Sequence, residues 1–137
     1  MTLHRAMLLV ILFAGFGLGL SLPTLRRNAD IRHAREALHL AEDLARAERA
    51  FFNQNGFYTA DFSQLDIHLP VHPIIKEDHP VLPFEHYTID LEEANQLHVR
   101  SDKYPQWVRI PLDGGRPVCE FDTSSPVGEK ICREIHL

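Results

Sequence analysis

The sequence predicts an α+β fold: one long N-terminal α-helix, half transmembrane and half amphipathic, packed on a small antiparallel β-meander of three to four strands, with a C-terminal disulfide loop. Three observations predict it. Ala6 to Leu25 reads AMLLVILFAGFGLGLSLPTL without a charge. From Arg26 the apolar residues recur at helical spacing as far as Gly56. Beyond Pro83 the hydrophobic period drops to two, the signature of half-buried strands.

The apolar run has the length of helix that crosses a bilayer core of roughly 30 Å at about 1.5 Å per residue. Residues 1–25 are therefore expected to be a membrane anchor, and residues 26–137 a water-soluble head that includes the amphipathic half of the helix, 26–55. The run is longer than the roughly 7–15 residues of a secretory signal, and no Ala-x-Ala-like site follows it. Gly15, Gly17, Gly19 and Pro23 concentrate weak helix formers inside it. In lipid the backbone has no other partner and the helix holds; in a protein environment this segment is the part able to unwind.

The amphipathic stretch carries Ile31, Ala34, Ala37, Leu38, Ala41, Leu44, Ala45, Phe51 and Phe52 on one stripe. Asn53-Gln54-Asn55-Gly56 ends it, with Gly56 as the helix C-cap. A helix from Ala6 to Asn53 would run about 70 Å, longer than so small a head can cover, so its first part needs lipid or other subunits around it. Thr59 is expected to cap a short turn through Phe62 and Leu65. Ile67 to Pro83, with prolines at 70, 73, 80 and 83, reads as loop, and the same prolines deny His68 and His72 a shared helix face for a metal.

Four runs then read as strands: Phe84 with His86–Ile89 and Leu91, Leu97–Arg100, Trp107–Ile110, and Pro117–Phe121. Asp113-Gly114-Gly115 joins the last two. The apolar face of such a sheet needs a cover, and the amphipathic half of the helix is the element large enough. Glu129 to Ile135 returns as a short helix or tail. Cys119 and Cys132 lack the paired spacing of a zinc site; behind an export anchor the expectation is a disulfide, free or metal-bound thiols being the alternative.

The formal charge of −5 is uneven: residues 1–54 hold seven Lys/Arg and five Asp/Glu, residues 55–137 seven and fourteen. Such an acidic head repels phosphate backbones, and no nucleic acid is expected as a partner. Glycine-rich phosphate loops, Gly-x-Ser-x-Gly and His-Glu-x-x-His are absent from the sequence, and Asp90, Glu92 and Glu93 read as a solvated strand end. The chain is read as a non-enzyme with no cofactor and no metal.

LLVILFAGFGLGLSLP, ARAERAFFNQNGFYTADFSQLDI and VCEFDTSSPVGEKICREI, in this order, resemble the type IV pilins and pseudopilins over essentially the whole chain. The resemblance implies a subunit held in the bacterial inner membrane by a single pass, its head in the periplasm, until assembly platform proteins move it from lipid into a filament of packed N-terminal helices. It implies that Gly15, Gly17, Gly19 and Pro23 mark the part that melts or kinks on assembly, and that Cys119 and Cys132 close the C-terminal loop. The expected partners are membrane lipid, other pilin or pseudopilin subunits and the platform. Setting Pro23 on the family's proline places the first mature residue at Thr2 and the family's first-turn glutamate position at Ala6. A subunit at a filament tip has no neighbour above to pair with that carboxylate, so the resemblance points to a minor pilin of a pilus, with a type II secretion pseudopilin as its close variant. A monomeric membrane-tethered binding or adhesion module is the alternative from another class.

Overall fold

The computed structural model describes the backbone of residues 2–93 and 95–135, with side chains at Pro23 and from Leu25 onward in that range. The helix α1 runs Thr2–Asn55 with Pro23 inside it, and a 3-10 turn follows at Phe62–Gln64. Six strands come next: β1 Ile74–Lys76, β2 His79–Phe84, β3 Tyr87–Glu92, β4 Gln96–Ser101, β5 Gln106–Pro111 and β6 Val118–Phe121. Helix α2, Pro126–Glu134, ends the described chain. The strands lie in the order β1-β2-β3-β4-β5-β6, each antiparallel to the next.

The chain divides into two compact units, Met1–Arg32 and His33–Leu137. In the first, α1 is helical from Thr2, and Leu25, Arg26 and Arg27 are exposed. Among the described residues no helix is long and apolar enough to cross a membrane. The anchor expected over residues 1–25 falls largely on side chains outside the described ones, Gly15, Gly17 and Gly19 among them.

In the second unit the helical stripe Ala34, Ala37, Leu38, Ala41, Leu44 and Ala45 is buried, as its spacing requires. The inner sheet face is read across the strands as Ile89, Val99, Val108, Cys119 and as Leu91, Leu97, Ile110. Arg49 ties α1 to the end of β5, its guanidinium donating to the carbonyls of Leu112 at 3.1 Å and Pro111 at 3.4 Å. Truncating a core leucine such as Leu44 or Leu97 to alanine would cost about 2–5 kcal/mol.

The sheet has six strands rather than three to four, and the extra ones lie where loop was expected. Lys76 and His79 close a hairpin through the two residues Glu77 and Asp78, both at positive φ as the tight hairpin turn demands. Two of the prolines that argue for loop, Pro80 and Pro83, lie in β2, and the register tolerates both. With Lys76↔His79 the hydrogen-bonded closing pair, alternation makes Ile75↔Pro80 a non-bonded pair, so Pro80 takes nothing from the pairing with β1. Its missing N–H faces β3 instead, and the β2–β3 ladder accordingly stops at Leu82↔Ile89. Pro83, opposite Thr88, is likewise non-bonded to β3. His86, expected within a strand, is in the turn between β2 and β3.

Candidate functional site

Two structures fasten the head, one at the end of α1 and one at β6. The first begins where α1 stops. Gly56 takes φ +80° and donates its N–H to the Phe52 carbonyl at 2.7 Å, the glycine cap expected from the sequence. The reversal folds the next residues back on the last turn: Phe57 meets Phe51 edge-on at 5.5 Å and Tyr58 stacks on Phe52 at 4.6 Å.

One turn earlier on α1, Glu48 is 0 % exposed. Its Oε2 accepts the Thr59 N–H at 3.0 Å, while Oε1 has no hydrogen-bond partner. Burial pushes the Glu48 carboxyl up to about 7, against the downward pull of the Thr59 N–H. Thr59 is not the cap of the following turn. It accepts the Asp61 N–H at 3.1 Å, and Asp61 caps the 3-10 turn by accepting from the Ser63 N–H at 3.1 Å. The Ser63 hydroxyl, then the Gln64 amide and the Ser63 N–H, hold the exposed Asp61 carboxyl below the usual carboxylate range.

The second structure is covalent. Cys119 on β6 and Cys132 on α2 form a disulfide. α2 is set by Ser125, whose hydroxyl accepts the Gly128 N–H at 3.2 Å, with Pro126 opening the helix. A Cβ on buried Gly128 would stand 3.0 Å from the Cβ of Phe121, so α2 crosses close to β6 there. Near the other end of α2, Arg35 of α1 donates to the Glu134 carbonyl at 3.1 Å.

The outer sheet face is a polar row rather than a solvated strand end. Asp90 is 4 % exposed and accepts from Arg100 at 3.1 Å, with His79 Nε2 3.5 Å from the same oxygen. Glu92 lies 2.7 Å from His98 Nδ1, and burial nonetheless holds the His98 imidazole below its usual value. Glu120 accepts from Trp107 Nε1 at 2.8 Å and from Arg109; the Arg109 bond foremost holds its carboxyl low. A shallow groove of about 350 Å³ opens on this face beside His98, Arg100, Tyr104 and Trp107.

Gly56 and the Cys119–Cys132 bridge therefore stand where the sequence puts them. α1 is helical through Gly15, Gly17, Gly19 and Pro23. His68 and His72 lie in the segment between the 3-10 turn and β1, and among the described residues no group of three or more His, Cys, Asp or Glu side chains could hold a metal. Glu48 and Asp90 carry no sequence signal of their burial: Glu48 lies between Arg46 and Arg49 on a charged helix, and Asp90 precedes Glu92 and Glu93 in what reads as a solvated strand end. Compared with protein-family models, curated proteins and solved structures, the chain has no match.

Proposed function

We propose that this chain is a minor pilin-like structural subunit of a type IV pilus or related filament, held in a membrane before assembly. One observation carries the reading: residues 2–32 of α1 belong to a unit with no strands, whereas residues 33–55 of the same helix belong to the sheet-bearing unit. A helix of 54 residues that is apolar from Ala6 to Leu25 requires lipid or sister helices as surroundings along that run. The bridged C-terminal segment agrees with the same reading. A pseudopilin of a type II secretion system would use these parts in the same way.

Cross-linking in the producing cell, followed by affinity purification, tests the proposal. Recovery of filament or secretion-machinery subunits through residues 6–25 is the expected result. A head recovered alone, with an N-terminus at or beyond Arg26 on sequencing of the mature protein, would remove it. The groove beside Trp107 favours the second reading, a monomeric tethered binding module, which the recovery of the intact chain without any machinery subunit would support.

A further inference from the structure

The two edge strands of the sheet are treated differently. β6 is bridged to α2 and crossed by it, whereas among the described residues β1 pairs with nothing but β2. Because Ile75 stands in the non-bonded pair with Pro80, its N–H and C=O point away from β2, toward the open side. Ile74 is 49 % exposed and Ile75 71 %, and a cavity of about 470 Å³ runs beside them, lined also by Asp61, Ser63 and His72. An outward-facing amide and carbonyl, adjacent branched apolar side chains and a groove alongside are the parts that accept an added strand.

Charge selects the occupant. Asp61 borders the groove and Glu77 and Asp78 end the strand, three carboxylates against the one ammonium of Lys76. Asp61 keeps its charge down to acid pH, its carboxyl lowered by the Ser63 hydroxyl and the Gln64 amide. A second copy of the chain would bring the same acidic edge against itself, and like charges across a pairing are unfavourable.

We propose that the open edge at β1 is a docking site for an extended, apolar segment of another protein chain bearing lysine or arginine, which joins the sheet through the Ile75 backbone as a further strand. The proposal uses no residue of the N-terminal helix on which the filament reading rests, so it stands or falls independently.

The test uses the full chain in detergent micelles and two synthetic heptapeptides, acetyl-Lys-Val-Lys-Ile-Arg-Val-Lys-amide and the same peptide with glutamate at every basic position. The basic peptide should bind at least about tenfold more tightly than the acidic one, and more weakly as salt is raised. Its binding should slow hydrogen exchange at the Ile75 amide by at least about tenfold while leaving the Ile74 and Lys76 amides, already bonded to β2, unchanged. Ile75→Pro removes the outward N–H without removing a β1–β2 bond and should weaken binding by at least about tenfold. Should that variant fail to fold, the exchange measurement on the unaltered chain decides. Absent binding, equal binding of the two peptides, an Ile75 amide that the peptide leaves unprotected, or a dimer of the unaltered chain that Ile75→Pro dissolves would overturn the proposal.

Discussion

Two regions of the head are fastened by opposite means. At β6 the chain is fastened by a bond between Cys119 and Cys132, thirteen positions apart, with Ser125 setting the helix that carries the second cysteine. On the segment that leads from α1 toward β1, the Thr59 N–H donates to a buried carboxylate on α1. The first responds to reductant and ignores pH; the second does the reverse. One fastening in this small head thus holds under all non-reducing conditions, and the other depends on whether Glu48 holds a proton.

The largest effect expected comes from cutting the covalent end. Cys119→Ser should lower unfolding free energy by about 3 kcal/mol, the entropy of a loop this size. Thermal unfolding of the variant and of the reduced chain should coincide, and hydrogen exchange should quicken at α2 and β6 while β1 and β2 keep their rates. An unchanged melting temperature in oxidising buffer would mean that the bridge contributes nothing to this end.

The non-covalent end is next. The folded Glu48 carboxyl titrates at about 7 and the unfolded one near 4.5, so between these values the unfolded chain gives up its proton while the folded chain keeps it. This contribution is therefore complete below about pH 4.5, declines as pH rises, and is gone above about 7, a loss of about 3 kcal/mol. Glu48→Gln retains an acceptor for the Thr59 N–H and carries no charge, so it should be the more stable form at pH 8 and close to equal at pH 4. Denaturant unfolding at the two pH values checks this; parallel profiles for the two proteins would show that Glu48 does not titrate between them.

Smaller changes sharpen the contrast. Ser125→Ala removes the cap of α2 and should cost about 1 kcal/mol, read as a shift in denaturant midpoint. Ile75→Pro should move that midpoint by no more than about 0.5 kcal/mol, since its N–H points outward at an edge. A large loss there would place a β1–β2 bond at Ile75 and invert the hairpin's alternation.

Much of the closed end was legible in the sequence and much of the open end was not. The period-two runs from Tyr87 to Phe121 and the cysteine pair are local signals, and the Gly56 cap is a single residue with one physical use. The β1–β2 hairpin escaped because proline counts as a breaker only where an N–H is needed, and which N–H groups are needed follows from the register, which Glu77-Asp78 sets without the glycine or asparagine that usually advertises such a turn. Glu48 escaped for a different reason. Between Arg46 and Arg49 it reads as part of a charged helix surface, and its partner, the Thr59 N–H, is brought to it only when the chain turns back after Gly56. Asp90, set between Ile89 and Leu91 just ahead of Glu92 and Glu93, is paired with Arg100 and His79 from the neighbouring strands, which only the folded sheet brings to it.

Every strand pairs with its immediate neighbour in the chain, but α1 reaches partners 63 and 99 positions away, at Leu112 and Glu134. During synthesis from the amino end, Leu38, Leu40 and Leu44 therefore emerge long before the strands that will cover them. Any factor that escorts the nascent chain has that greasy stripe, rather than the late-arriving sheet, to shield from premature association.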